Sequence, residues 1–230
     1  MALQVQASTE FKASNFTFSN VRKNKMGGKV VYLNYGSSKT FIQLPSMRAP
    51  FGLSSYTDEA TKKTTYSLDL SFDAENSEFL EKMVELDELI ISTVQKNSKE
   101  WLGKAYNESV IREALYKPIV KAPSKPEYPS TMKLKILNKS DGGFVAEAYN
   151  YKRQSVELDT LEKGQKVVSI VDFNQIWFID NKFGVSVRLH QVLFEPSKKL
   201  PSFAFTGIAE PEEDDEEEEV EYEEVEVDEP

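Results

Sequence analysis

Residues 64–72 read TTYSLDLSF, and residues 76–95 read NSEFLEKMVELDELIISTVQ. In the first stretch Tyr66, Leu68, Leu70 and Phe72 alternate with polar residues, which predicts a strand with one face buried. In the second, Phe79, Leu80, Met83, Val84, Leu86, Leu89, Ile90, Ile91 and Val94 recur at helical spacing. Charged residues, Glu78, Glu81, Lys82, Glu85, Asp87 and Glu88, are interleaved, so the segment predicts an amphipathic helix. Asn76 or Ser77 is suited to cap its start. A period of two gives way to a period of 3.6 within a few residues, and strand signals lie on both sides of the change.

Upstream, FTFSNV from Phe16 alternates, and Gly27-Gly28 marks a turn. KVVYLNY (29–35) and TFIQL (40–44) are rich in β-branched and aromatic residues, and Gly36-Ser37-Ser38 separates them. That spacing predicts a β-hairpin over 29–44. Downstream, a shorter helix is expected over 108–116, followed by a proline-rich connection, KAPSKPEYPS (121–130). Strands resume at 131–137 and 144–151. They continue through KVVSIVDFNQIWFID (166–180), as one long or two short strands, and, after a turn at Asn181 to Gly184, through VSVRLHQVLF (185–194).

The expected fold is mainly β with a helical insert at 76–116: an OB-fold-like antiparallel barrel, closed or partly closed. Residues 1–15 are polar and expected to be flexible. Residues 16–209 form the expected domain. Residues 210–230 carry too much like charge and too few apolar groups to fold, which predicts a disordered acidic tail.

The charge is divided unevenly. The chain of 230 residues has 28 Lys and Arg, 38 Asp and Glu, and a net charge of −10. Fifteen of the 38 acidic residues lie in 210–230, where there is no basic residue, so 23 face 28 basic residues in the rest of the chain. The body is therefore cationic, about +5, beside a tail of −15. This asymmetry points to a nucleic-acid-binding body with a tail that competes for the same surface. With no cysteine and one histidine, thiolate zinc sites, disulfides and multi-histidine metal sites are excluded, and Ser-His-Asp catalysis would rest on His190 alone. Neither a phosphate-binding glycine loop nor a dinucleotide fingerprint occurs. Asp69, Asp73 and Glu75 read as solvated or capping groups, so the chain is expected not to be an enzyme and to need no cofactor or metal. The start lacks an apolar leader, and no run is long enough to span a bilayer, so an intracellular protein with no membrane partner is expected.

Binding to an exposed single strand needs cations for phosphates and aromatic faces for bases. Both kinds cluster in four places. These are Lys133 and Lys135 on one strand face, Tyr149, Tyr151, Lys152 and Arg153, the Lys182, Phe183 and Arg188 group, and Arg48, Phe51, Tyr56, Lys62 and Lys63. Each has a plainer reading: solvated lysines, or aromatics sunk in the core. His190 reads as structural.

The strings Met47-Arg48-Ala49-Pro50-Phe51-Gly52-Leu53-Ser54 and Tyr66 to Phe72 resemble the single-stranded DNA-binding proteins of large nucleocytoplasmic DNA viruses. These in turn are similar to the single-stranded DNA-binding protein family of phage T7. The resemblance implies an OB-fold body and an acidic tail that recruits replication proteins such as a polymerase, primase or helicase. It also implies a viral replication site in the host nucleus or cytoplasm. The tail residues expected to dock such partners are Glu216, Glu217, Glu218, Tyr222, Asp228 and Glu229. Phage-type tails end in an aromatic residue, whereas this sequence ends Asp228-Glu229-Pro230. DNA is not distinguished from RNA at this level, and exposed strand edges leave room for a homodimer. The rival reading is an acidic-tailed interaction protein that binds basic proteins in the manner of a histone chaperone.

Overall fold

A computed structural model describes residues 4–25, 27–36, 39–197 and 204–208. Among them run thirteen strands. The first six are β1 (Val5–Ala7), β2 (Phe16–Phe18), β3 (Arg22–Lys23), β4 (Lys29–Tyr35), β5 (Phe41–Gln43) and β6 (Met47–Arg48). After these come β7 (Leu53–Thr57), β8 (Thr64–Ser71), β9 (Tyr116–Lys117), β10 (Thr131–Ile136), β11 (Glu147–Tyr149), β12 (Lys166–Ile179) and β13 (Lys182–Leu193). The long helix expected from the periodicity is α1 (Ser77–Lys96).

The β12–β13 hairpin is the spine of the sheet. Asp180 and Asn181 both take left-handed backbone angles, φ 48° and 63°, which suits a two-residue turn that follows the twist of the strands. The turn therefore lies before Lys182, and Gly184 sits inside β13 opposite Trp177. β4, β5 and β6 do not pair with one another as the expected hairpin would. They run in series along β12, with Val30 to Tyr32 beside Trp177 to Gln175, Ile42 beside Val171, and Met47 beside Val167. A long partner strand wins here, because it satisfies the backbone of all three segments, while the local turn at Gly36 only interrupts one bent strand.

β7 pairs with β8, β8 with β10, β10 with β13 and β8 with β6. The sheet thus curls back toward β12, but two of the joins are single residue pairs, Arg48 with Ser71 and Lys135 with Arg188. No closed barrel forms among the described residues, and the fold is mainly β with one long helix. The insert also holds Glu108–Val110 and a turn of π-helix at Ile111–Leu115. Asn107 caps the first of these by accepting the Val110 N–H at 2.9 Å.

α1 buries Phe79, Met83, Leu86, Ile90, Ile91 and Val94. Each such side chain contributes about 1.5–3 kcal/mol when removed from water. On the same helix Asp87 is buried and accepts from the Tyr116 hydroxyl and from the backbone N–H groups of Ile119 and Val120. Burial raises its pKa despite those hydrogen bonds. The clasp ties the helix to the segment leading back to the sheet.

Residues 5–13, within the stretch expected to be flexible, pack against the sheet and the helix. β1 pairs parallel with β5, Phe11 is 1% exposed in the core, and Lys82 on α1 donates to the Ser8 and Thr9 carbonyls. Phe11 and Ala13 supply the apolar anchors that polar composition alone concealed. Lys198 to Pro230 form a second unit, of which residues 204–208 take neither helix nor strand. The expected tail residues Glu216, Glu217, Glu218, Tyr222, Asp228 and Glu229 lie outside the described residues.

Candidate nucleic-acid interface

Residues directly opposed in a ladder point to the same side of a sheet. The pairings of Ser54 with Ser67, Ser67 with Lys135, Lys135 with Arg188 and Arg188 with Asp172 therefore align one row across five strands. Its side chains face away from the core, because Leu68, Leu70, Leu134 and Met132 occupy the alternate positions and are buried. A second row pairs Asp69 with Lys133, and a third runs Thr131, Ser71, Arg48, Lys166. Tyr56, 67% exposed, lies beyond the first row, opposite Thr65. Arg48, Lys133, Lys135, Arg188 and Tyr56 thus belong to one polar face. Lys133 and Lys135 stand about 7 Å apart along their strand.

Their electrostatic states differ. Lys133, itself exposed, lies 3.7 Å from Asp69, which is buried in the sheet rather than solvated as the sequence suggested. Lys166 joins Glu75 at 2.8 Å, and that contact lowers the Glu75 pKa. Arg188 is engaged by Asp172. Lys135 has no ion-pair partner among the described residues, and the same holds for Lys62, Lys63, Lys152, Arg153 and Lys182.

Loop geometry presents three aromatics differently. Gly52 has φ +62°, and a Cβ there would lie 3.1 Å from the Lys163 nitrogen. This close turn leaves Phe51 55% exposed. The Asn150 carboxamide oxygen accepts the Lys152 and Gln154 N–H groups, which folds Tyr151, Lys152 and Arg153 into an outward turn. Tyr151 is 59% exposed there. Tyr149 stays in β11, half-buried, with its hydroxyl donating to Glu147. The two tyrosines therefore do not share one strand, because the strand expected over 144–151 ends at Tyr149. Lys62 and Arg153 occupy left-handed positions, φ 54° and 62°, that favour Gly or Asn.

Phe183 requires a correction. It is fully buried, 5.0 Å from the Tyr116 ring and stacked on Phe178, so no base can reach it. Lys182 lies six residues from Arg188 along β13, about 20 Å, and is not part of the row.

Sequence reasoning missed Lys39, Phe41, Asp172 and His190, which meet beside Arg188. Asp172 is 2% exposed and accepts from Arg188 Nε (3.0 Å) and Nη2 (2.6 Å), and His190 Nε2 lies 2.9 Å away. Lys39 Nζ is 3.2 Å from the same carboxylate. A lone Asp inside the apolar run of β12 was the available signal, because a buried carboxylate must be paired.

A model of a family of unknown function (DUF5871) matches residues 58–206. The chain belongs to this family. This DUF5871 member is 24% identical over 170 residues to uncharacterized protein L291 of Acanthamoeba polyphaga mimivirus. The match takes in 73% of the chain but spans only 28% of that relative's length. Among solved structures, it resembles the single-stranded DNA-binding protein from bacteriophage Enc34 in complex with ssDNA. The identity is 15%, the TM-score 0.41, and the coverage 78% of this chain and 97% of that one. It also resembles gp2.5, a single-stranded DNA-binding protein encoded by bacteriophage T7, with 12% identity, TM-score 0.46, and coverage of 75% and 99%. No helix among the described residues is long and apolar enough to cross a membrane.

Proposed function

We propose that the chain is a sequence-nonspecific single-stranded DNA-binding protein acting in replication, recombination or repair of viral DNA. The observation that carries this reading is the outward row through Lys135 and Arg188, with Lys133 and Arg48 in the rows beside it. It places cations on the solvent side of a sheet whose other side is core. Phosphates would lie on this face. Phe51, Tyr56 and Tyr151 would stack bases, and Lys62, Lys63, Lys152, Arg153 and Lys182 would widen the attractive field. The circuit of strands, with β10 parallel to β13, is read as an OB-type topology. The acidic tail would compete for the cationic face and, once displaced, recruit polymerase, primase or helicase.

Fluorescence anisotropy of the full chain with labelled oligo-dT, against a duplex and an RNA of the same length, tests the reading. Tight, salt-sensitive binding of the single strand supports it. Binding to histones with no affinity for any nucleic acid would favour the acidic-tailed chaperone instead.

A further inference from the structure

Beside the Asp172 cluster lies a cleft of about 330 Å³ between β5 and β13. Val5, Phe41, Val145 and Ile170 form its apolar walls, and His190, Glu147 and Gln191 its polar ones. Val5 and Val145 are 48% and 45% exposed, so apolar surface stands open to solvent here. His190 is common to the cleft and the cluster. Its ring meets Phe41 edge-on at 4.6 Å, and Lys39 Nζ sits 4.9 Å from the Phe41 centroid.

We propose that this cleft is a nucleotide subsite, holding one base between Phe41 and Ile170 and its phosphate on Lys39, Arg188 and His190. This rests on the single-strand reading above and extends the contact face beyond the row through Lys135. The charge arrangement orients the occupant. One carboxylate, Asp172, faces two permanent cations, so the cluster keeps a positive excess at its solvent edge. Arg188 uses Nε and Nη2 on Asp172, so Nη1 is the donor not spent on that carboxylate, and guanidinium donors suit phosphate. The cations are also held in position before any ligand arrives, which lowers the entropy lost on binding. On the far side, Glu147 accepts from Tyr149 and Gln191, and its negative charge repels a phosphate there. The base therefore points toward Glu147 and Gln191, and the phosphate toward Lys39. The volume is at the small end of ligand sites, room for one nucleoside unit.

The test uses the full chain. Oligo-dT carrying 5-iodouracil is photo-crosslinked to the wild-type protein, and cross-linked peptides are mapped by mass spectrometry. Affinity is measured for wild type, Lys39→Gln, Ile170→Trp and Lys133→Gln/Lys135→Gln. The proposal expects a cross-link in the peptide holding Phe41 or His190. It expects Lys39→Gln to lower the salt slope by about one, and Ile170→Trp, which fills the cleft, to weaken binding about tenfold, the loss of one stacked base. The subsite is refuted, with the broader reading intact, if only Lys133→Gln/Lys135→Gln weakens binding and cross-links map to β8 or β10 alone. It is refuted equally if Ile170→Trp changes the oligomeric state by light scattering while oligo-dT affinity stays at the wild-type value, since a second copy would then cover the cleft. Absence of any oligo-dT binding by the wild type defeats both. Should Ile170→Trp fail to fold, the cross-link and Lys39→Gln still decide.

Discussion

Arg188 and Asp172 face each other directly across the β12–β13 ladder, and two hydrogen bonds join the guanidinium to the buried carboxylate. Burial alone would raise the Asp172 pKa. The hydrogen bonds from His190 and Arg188, with the charges of Arg188 and Lys39, outweigh it and hold the group well below its ordinary 3.8. A carboxyl depressed in the folded state contributes stability above its unfolded value, and that contribution is lost as pH falls through and below about 4. Asp172→Asn is therefore expected to cost about 2–3 kcal/mol at pH 7 and markedly less at pH 3. Urea melts at both values check it; an equal cost at the two would contradict the assignment.

Lys133 and Lys135 are exposed and lie on the same outward face. Replacing either with Gln should reduce the salt slope of oligo-dT binding by about one and leave sequence preference unchanged. Stability should move by less than about 0.5 kcal/mol, because surface sites of this kind are nearly neutral. Lys96 and Lys99, at and just beyond the end of α1, serve as controls that should not alter the slope.

The aromatic residues separate into two behaviours. Phe51→Ala, Tyr56→Ala and Tyr151→Ala are each expected to weaken single-strand binding by about 1–3 kcal/mol if that ring stacks a base. Their melting midpoints should stay near wild type, since these rings are more than half exposed. Phe183→Ala should instead cost about 3–5 kcal/mol of folding stability. Paired anisotropy and denaturation curves distinguish the two.

Gly184 faces Trp177 so closely that a Cβ would sit 2.7 Å from Trp177 Cζ2 and 3.0 Å from the Lys117 carbonyl oxygen. Gly184→Ala is expected to destabilise by about 1–3 kcal/mol through overpacking. A Trp177→Phe change in the same chain should recover part of that loss. Calorimetric midpoints of the single and double variants test the coupling.

The helix at 77–96 and the long β12–β13 hairpin were legible because their signals are local: helical spacing in one, alternation and turn residues in the other. The placement of β4, β5 and β6 was not, because Gly36 mimics a hairpin turn while the true partner lies more than a hundred residues away in β12. Phe183 looked available beside Lys182 because alternation does not say which face of a strand is covered; Tyr116, from the helical insert, covers it. The Asp172 cluster draws on residues 39, 172, 188 and 190, so only folding brings its charges together. The exposed lysines of β10, by contrast, were readable from simple alternation.

Lysine footprinting of the full chain bears on the location of the bound strand. Acetylation rates are measured by mass spectrometry with and without saturating oligo-dT. Lys133 and Lys135 should be protected several-fold while Lys96 and Lys99 react as before. Protection confined to the helical insert, or none anywhere at saturation, would show that the outward face of β8, β10 and β13 is not where polynucleotide lies.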